Sequence, residues 1–396
     1  MIKRKKKKER QHNPFYDPTL KARHASAGRF KKFTLTSLLF SIAFLSFFLF
    51  DIVGKAIPAF KIAYIQTEVT FNEKSLDDTR FAVDKKYREL VSRAWLRDIP
   101  ALLKENPNYM NTTITTWVLA DDQVDQYLKG HHHKLKENEI TFVEDLLSQG
   151  LIKNRFNAIF FTKGDSKIPE YAGLYSAIIG SVLTLIITMI VAFPIGVMTA
   201  IYLEEFSSDN KFTRFIEINI NNLAAIPSIL FGLLGLAIFI NLFGMPRSSP
   251  LVGGLTLALM TLPIIIVSSR AALRAVPDSI RQAGYGLGLN KIQVTRDHVL
   301  PLAFPGVLTG SIIGLAHAMG ETAPLIIIGM IAFIPDAPSM VTQAATVMPA
   351  QLFTWAGMPE GMYIEKTAAG IVVLLTILIS LNTVAIILRK KFEVKW

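Results

Sequence analysis

Apolar residues are grouped along this chain in long runs that contain no charged side chain. Four such runs cover residues 171–203, 218–245, 248–269 and 367–388. A helix rises about 1.5 Å per residue, so about 20 apolar residues cross a hydrocarbon core about 30 Å thick. Runs of this length predict membrane-spanning helices rather than the buried helices of a soluble protein.

Two further apolar stretches complete the expected topology. An even number of spans places both chain termini on the same side of the membrane. The six spans are expected near residues 33–53, 174–203, 217–243, 251–269, 303–332 and 367–388.

The basic residues indicate the orientation of these spans. Of a net charge of +11, most lies in residues 1–32, which hold twelve Lys and Arg against two acidic residues. The last span is followed by Arg389, Lys390 and Lys391. Cytoplasmic segments are enriched in Lys and Arg, so both termini are expected in the cytoplasm. The tail suits the anionic headgroups of membrane lipid, and nucleic-acid binding is not expected.

The first span is also expected to remain in the mature chain. Residues 33–50 have the hydropathy of a signal peptide, but the basic region ahead of them is unusually long. No small-residue cleavage site follows Asp51, so an uncleaved span is favoured.

This topology divides the chain into segments of different character. The expected segments are a basic cytoplasmic tail (1–32), a first transmembrane helix (33–53), an extracytoplasmic domain (54–170), a membrane domain (171–391) with a cytoplasmic loop (277–301), and a cytoplasmic C-terminus (392–396).

The expected outer domain has the pattern of a small α+β unit. Residues 108–120 are rich in Thr, Ile and Val and predict a strand, whereas residues 137–147 have helical periodicity. Residues 54–170 contain seventeen acidic and seventeen basic side chains, so no net charge is available to steer an anion. The consecutive histidines 131–133 fit a solvated loop better than a metal site, since neighbouring residues on one loop rarely converge on an ion.

The sequence offers little catalytic chemistry of its own. It contains no cysteine and no Gly-x-x-x-x-Gly-Lys-Ser/Thr phosphate loop. No catalytic cluster, metal site or cofactor site is expected, and any ATP-driven work requires a partner.

The cytoplasmic loop has its own local signals. Pro277, Asp278 and Ser279 predict the start of a short helix that ends near Tyr285, and the glycines at 284, 286 and 288 permit a sharp turn. Asn290 and Gln293 then form a capping-box pattern for a second short helix over residues 291–298, before Pro301 begins the next span. The segment suits either a docking surface or a merely solvated loop.

The same loop resembles the EAA loop of ABC-importer permeases, in which Glu-Ala-Ala is followed by Gly and, at a fixed spacing, by Leu-Pro. Gln282 replaces the Glu and Gly284 replaces an Ala, which removes any ion pair of that Glu with the ATPase. In this family the loop is the coupling helix that docks on the ATPase subunit. The implied coupling residues are Gln282, Ala283, Gly284, Gly288, Leu300 and Pro301.

Further segments resemble the PstA-type permeases of phosphate importers rather than their PstC-type sisters. The resemblance covers residues 171–391, and leaves the tail and most of the outer domain unmatched. The matching segments are residues 200–205, 222–232, 275–279 and 320–325.

This resemblance implies an all-α polytopic fold of the ABC importer permease type, with six transmembrane helices and a small α+β domain between the first and second. It implies a bacterial inner-membrane permease that imports inorganic phosphate while a separate ATPase hydrolyses ATP, so the chain itself is not an enzyme. The implied partners are a PstC-like second permease, a PstB-like ATPase and a PstS-like periplasmic phosphate-binding protein.

Glu321 is the main candidate for a functional residue inside the membrane. A charge within a span costs about 2.5–3.5 kcal/mol and usually faces a cavity or a partner. Its carboxylate would repel phosphate, so it is expected to hold a gate by pairing with a basic group of the sister permease or with His317, at i,i+4 in this sequence. The alternative that the sequence leaves open is that Glu321 lies near the outer end of its span and is hydrated at the membrane–water interface.

Two prolines mark further pathway candidates. Pro227 and Pro324 each lack a backbone donor and would bend their helices, which frees carbonyls near Ser228 and Thr322 to line a path. Packing kinks are the equally open alternative.

Two other functions fit parts of the sequence. A permease for sulfate, molybdate or a sugar has the same physical features, and a membrane sensor would use residues 54–170 as its receptor domain. The sensor is disfavoured because no cytoplasmic signalling domain is evident.

Overall fold

The computed structural model of the protein describes residues 19–392. Most of the predicted basic tail, residues 1–18, and residues 393–396 of the C-terminus lie outside the described residues. The chain forms two units, residues 1–52 and residues 53–396, which are described separately. In the first unit the long helix α1 (Leu20–Ala56) begins, and it contains the first predicted span.

A three-stranded antiparallel sheet organises the segment that follows, here called the sheet module (residues 61–162). The strands are β1 (Lys61–Phe71), β2 (Thr112–Leu119) and β3 (Ile152–Phe156), in the order β2-β1-β3. The module helices are α2 (Glu73–Asp77), α3 (Arg93–Arg97), α4 (Ile99–Glu105), α5 (Asp122–Leu128), α6 (Glu137–Ser148) and α7 (Ile159–Thr162).

Alternation along β1 explains how the module folds. Ile65, Val69 and Phe71 are buried, whereas the intervening Glu68 is exposed, so one face of the sheet packs on the core. Val124 and Val143, from helices α5 and α6, cover that face. The strand predicted within residues 108–120 and the helix predicted over 137–147 are confirmed as β2 and α6.

The second unit continues into long apolar helices. Among the described residues, five helices are long and apolar enough to cross a membrane, and one bent pair makes a sixth candidate. The helices are α8 (Tyr175–Ile201), α9 (Lys211–Ala224), α10 (Ser228–Gly235), α11 (Pro250–Arg274), α12 (Asp278–Gly286), α13 (Lys291–Val294), α14 (Leu300–Gly320), α15 (Ala323–Ile327), α16 (Met348–Ala356) and α17 (Gly361–Phe392).

The third predicted span, at 217–243, is wrong as a single helix. Helix α9 ends at Ala224, and the helix that starts at Ser228 and runs to Leu242 is inclined to it by 103°. Pro227 causes the break, because proline has no N–H to donate and disfavours helical backbone at the residue before it. The spans predicted at 33–53, 174–203, 251–269 and 367–388 lie within α1, α8 with its continuation, α11 and α17.

The fifth predicted span, at 303–332, is displaced. One continuous helix runs from Lys291 to Gly320, so Pro301 does not begin it and the second loop helix does not stop at His298. A π-helical turn at Thr295–Val299 precedes Pro301, and this wider turn accommodates a residue without a backbone donor. Beyond Gly320 the chain forms the short helix α15, and helix α16 lies between α15 and the last spanning helix.

Small residues let the spanning helices pack closely around α11. A Cβ atom on Gly310 of α14 would collide with Ser268 of α11, and one on Gly254 would lie 2.5 Å from the Cβ of Ile187 in α8. Thr188 donates across the same contact to the carbonyl of Gly254 at 3.1 Å. Close backbone approach with inter-helix hydrogen bonds is typical of packing between membrane helices.

Two neighbouring ionisable residues at the start of α17 connect this helix to the sheet module and to the segment at 169–172. The buried Glu365 accepts hydrogen bonds from Gln126 at 2.7 Å and from Lys129 at 2.9 Å. The fully buried Lys366 donates to the carbonyls of Pro169 and Ala172, each at 2.6 Å. Because both groups lose these buried partners when the contact opens, the junction favours a rigid connection.

The histidines at 131–133 lie on a largely exposed loop, as expected, and His131 also contacts this junction. Nδ1 of His131 lies 2.7 Å from Glu365, and the His133 ring packs edge-on against Tyr127 with centroids 5.0 Å apart. The described residues contain no group of three side chains placed to hold a metal ion.

Two acids, Asp121 in the module and Glu170 just beyond its end, hold extra protons. Burial and the neighbouring Glu170 and Asp122 carboxylates raise the pKa of Asp121 to about 8. Burial also raises the pKa of Glu170 to about 7, against the hydrogen bond from Ser92. The folded chain therefore binds more protons than the unfolded chain between about pH 4 and pH 8, so this contribution to stability is lost as the pH rises through these pKa values.

We therefore expect the local stability of the module to fall as the pH is raised from 6 to 9. Asp121→Asn removes one titrating group. It should make the dependence of local stability on pH less steep, by at most about 1.4 kcal/mol per pH unit. Hydrogen exchange of residues 120–128, corrected for intrinsic exchange rates, measures the effect. Asp209→Asn, at an exposed carboxylate outside the module, is the control. An unchanged slope in Asp121→Asn would contradict the assignment.

Candidate coupling and transport site

The loop between α11 and α14 forms a compact hairpin of two helices. Asn290 and Gln293 make the reciprocal capping box that the sequence predicts, with both hydrogen bonds at 2.9 Å. Gly288 has φ of +78°, a conformation that favours glycine. Gly284 is buried against α13. A larger residue would not fit there, because a Cβ atom would lie 2.7 Å from a methyl group of Val294. Helix α12 confirms the first predicted loop helix.

The predicted coupling residues are therefore distributed over different surfaces. Gln282 and Ala283 are exposed on α12, and Gly284 and Gly288 shape the hairpin. Leu300 and Pro301 lie within the long helix rather than in the loop.

Large apolar side chains project from this hairpin into solvent. Tyr285 is 44%, Leu287 79% and Ile292 62% exposed. Arg281 and Lys291 stand beside them. An apolar patch on a polar loop between two spanning helices is typical of a surface that a partner protein covers.

Ion pairs hold the hairpin against the end of α8. Arg281 of α12 contacts Glu205 at 2.6 Å and also donates to the carbonyls of Leu273 and Val276 at 3.0 and 2.8 Å. Both charged side chains are mostly buried, at 16% and 5% exposed. The hydrogen bond to Glu205 raises the pKa of Arg281, so this cation stays charged. The pair fixes α12 to the membrane helices.

A second set of ion pairs lies beside the first. Arg274 contacts Glu204 at 2.8 Å, and Arg270 contacts Glu217 of α9 at 2.5 Å. Glu204 and Glu205 follow each other in a π-helical turn at the end of α8. π-Helical turns are frequent at functional sites. Helices α8, α9, α11 and α12 thus meet in one charged cluster, which we call the inner cluster (Glu204, Glu205, Glu217, Arg270, Arg274 and Arg281).

Glu321 lies just past the end of α14 and not inside a span. Its carboxylate is 3.2 Å from Nε2 of His317, one turn earlier, and is 18% exposed, whereas His317 is 53% exposed. The structure thus brings together the predicted pair. Thr322 precedes α15, and Pro324 occupies the first turn of that helix, where its missing N–H leaves no helical bond unmade.

The two halves of the predicted transport region touch each other. A Cβ atom on Gly232 of α10 would lie 2.7 Å from Cα of Pro324, so these short helices meet backbone to backbone. Pro227 caps the start of α10, and Ser228 is its first residue. Both prolines therefore lie at the starts of short helices, next to interruptions of the helical structure. Neither proline kinks a continuous span.

Sequence reasoning missed the inner cluster as a site. Its signal was present, because Glu204 directly follows one charge-free run and Arg270 directly follows another. Opposite charges at neighbouring span ends favour pairing once the helices are known to be adjacent. The sequence alone did not show which helices are neighbours. Glu365 and Lys366 were missed for the same reason.

A family model described as binding-protein-dependent transport system inner membrane component matches residues 192–395. The chain belongs to this family. It is a multi-pass inner-membrane protein of the permease type, and its relatives are named as permease subunits rather than enzymes. A domain of unknown function (DUF3333) matches residues 17–86 and 78–137.

Individual relatives agree with this membership. The phosphate transport system permease protein PstA of Yersinia pestis is 31% identical over 223 residues, which cover 55% of this chain and 73% of the relative. PstA of Mycobacterium leprae (strain TN) is 37% identical over 160 residues, or 40% of this chain and 52% of the relative. The chain spans a little over half the length of the first curated relatives it matches.

A solved structure of the MetNI methionine ABC transporter in an inward-facing conformation is also similar. It covers 56% of this chain and 98% of its own, at 16% identity and a TM-score of 0.45. A similarity of this size supports no functional conclusion.

In this permease, Arg281→Met should loosen the hairpin. Removing one partner of a buried ion pair costs roughly 3 kcal/mol, because Glu205 is left buried and uncompensated. Hydrogen exchange of residues 278–290 should accelerate, and adding Glu205→Leu should restore part of the protection. The control is Arg296→Met, since Arg296 is 71% exposed and its ion pair is with its exposed neighbour Asp297. Equal protection in Arg281→Met and the wild type would contradict the anchoring role.

Proposed function

We propose that this chain is a permease subunit of an ATP-driven importer of inorganic phosphate. The observation that carries the proposal is the anchored hairpin with its exposed Tyr285, Leu287 and Ile292. A partner that moves this hairpin also moves α8, because Arg281 and Glu205 join the two. The PstA names of the curated relatives support phosphate as the substrate.

The proposed orientation follows the positive-inside rule. Arg270, Arg274 and Arg281 surround the hairpin, and the last turn of α17 contains Arg389, Lys390 and Lys391. Placing these basic ends in the cytoplasm puts the hairpin there with both termini, and puts the sheet module outside. The inserted α+β domain, residues 54–170, is then extracytoplasmic.

The proposed assembly contains four kinds of subunit. A PstB-like ATPase binds the hairpin, where the coupling residues Gln282, Ala283, Gly284 and Gly288 shape its surface. A PstC-like permease supplies the other half of the transport path, and a PstS-like phosphate-binding protein delivers substrate from outside. ATP hydrolysis takes place in the ATPase, and this chain alternates access between the two sides of the membrane.

The pair His317 and Glu321 is proposed as part of a gate. A carboxylate repels phosphate, so Glu321 does not bind the substrate directly. Its position at a break between α14 and α15, beside the contact of α10 with Pro324, lets a small rearrangement make or break the pair. Pro227, Ser228, Thr322 and Pro324 line the same broken region.

The docking role is tested at the exposed apolar patch. Leu287→Glu should abolish co-purification of the ATPase, because a charge replaces an apolar side chain in a contact that excludes water. Met340→Glu makes the same change at an exposed apolar residue on the proposed opposite side, and should leave co-purification intact. Retention of the ATPase by Leu287→Glu would refute this docking surface.

The gate is tested by uptake of labelled phosphate into cells or proteoliposomes. Glu321→Gln and His317→Gln should each lower uptake by about tenfold, since a charge-assisted hydrogen bond contributes about 1.5–3 kcal/mol. Asp336→Asn, at an exposed carboxylate beyond the break, is the control. Wild-type uptake and ATP coupling in Glu321→Gln would refute the gating role. Absence of phosphate uptake by the wild-type assembly would refute phosphate as the substrate.

A further inference from the structure

A large open cleft lies in the sheet module, away from the transport region. It encloses about 760 Å³ between the turns at 79–82 and 85–87 and helix α3. Two acidic residues, Asp78 and Glu89, stand at its edge. The basic side chains that line it are Arg80, Lys85, Arg88, Arg93 and Arg97.

The cleft contains more positive than negative charge after ion pairing. Asp78 contacts Arg80 at 2.7 Å, and Glu89 lies 3.6 Å from Arg93. Within residues 19–392, no carboxylate lies at ion-pair distance from Lys85, Arg88 or Arg97. The balance of charges over residues 54–170 therefore conceals a local excess of cations. Folding concentrates that excess on one concave surface, where it attracts anions.

Arg88 has an unmet hydrogen bond at this surface. Its Nε atom is buried and has no partner in the described part of the chain. The guanidinium lies 4.7 Å from the centre of the Phe81 ring, which orients it. This ring contact holds the guanidinium in the lining of the cleft, so the charge of Arg88 adds to the positive potential there.

The shape and lining indicate one class of ligand. Guanidinium groups pair bidentately with phosphate oxygens, and several of them suit a molecule with more than one anionic oxygen group. A volume of about 760 Å³ is in the range of small-molecule sites and much larger than a single oxyanion requires. Phe81 is 54% exposed and lines the cleft, where its ring adds apolar surface beside the Arg88 guanidinium.

We propose that the sheet module binds an organic phosphate in this cleft, with Lys85, Arg88 and Arg97 on the phosphate groups and Phe81 against the organic part. The site goes beyond the proposed transport function. It shares no residue with the inner cluster, the hairpin or the gate, and the transported phosphate would not fill it.

The test uses the full chain, purified in detergent without its ATPase, and ADP as the probe. Equilibrium dialysis at low salt should show saturable binding that weakens as salt is raised, since exposed ionic contacts are screened. Lys85→Glu/Arg97→Glu should weaken binding at least about tenfold, because two cationic contacts are reversed. Both side chains are exposed, so the fold should be retained.

Two comparisons make the test specific. Lys104→Glu/Lys134→Glu reverses the same number of exposed charges in the same module outside the cleft, and should leave ADP binding unchanged. Phe81→Ala should weaken ADP binding without changing that of inorganic pyrophosphate. The proposal is overturned if ADP shows no saturable binding, or if both double variants weaken it equally. It is also overturned if pyrophosphate binds as tightly as ADP and Phe81→Ala has no effect.

Discussion

Hydrocarbon offers no hydrogen-bond partners, and this constraint accounts for most of the architecture. Continuous helices satisfy their own backbone groups, so α8, α11, α14 and α17 need only small-residue packing to associate. Helical structure is interrupted near Pro227 and again after Gly320. Non-helical backbone within a hydrocarbon core is tolerated only where protein or a water-filled path surrounds it. The two breaks meet at Gly232 and Pro324, so each helps to shield the other.

Charges obey the same constraint at the ends of the helices. The inner cluster pairs each arginine at the end of α11 or in α12 with a glutamate from α8 or α9. Removing either member of a mostly buried pair leaves an uncompensated charge, so the cluster resists separation of these helices. The hairpin therefore follows the membrane helices as one body. Its apolar patch stays exposed, so it remains available to a partner.

The sequence predicted apolar helices well and their breaks poorly. Charge-free runs define α8, α11 and α17 because hydropathy is a local property of the chain. The capping box at Asn290 and Gln293 was also predictable, since both of its hydrogen bonds are local. The 103° bend at Pro227 and the continuation of the helix through Pro301 depend on what packs around each proline. The inner cluster depends on which helices are neighbours, which no local pattern reveals.

The junction at Glu365 and Lys366 gives the sheet module a direct mechanical connection to the last spanning helix. Lys366 is fully buried and satisfied by backbone carbonyls at 2.6 Å, so displacement of α17 relative to the segment 169–172 would leave its buried amine without these acceptors. Lys129 forms ion pairs with both Glu365 of α17 and Asp125 of the module. Motion of α17 must therefore move the module core with it.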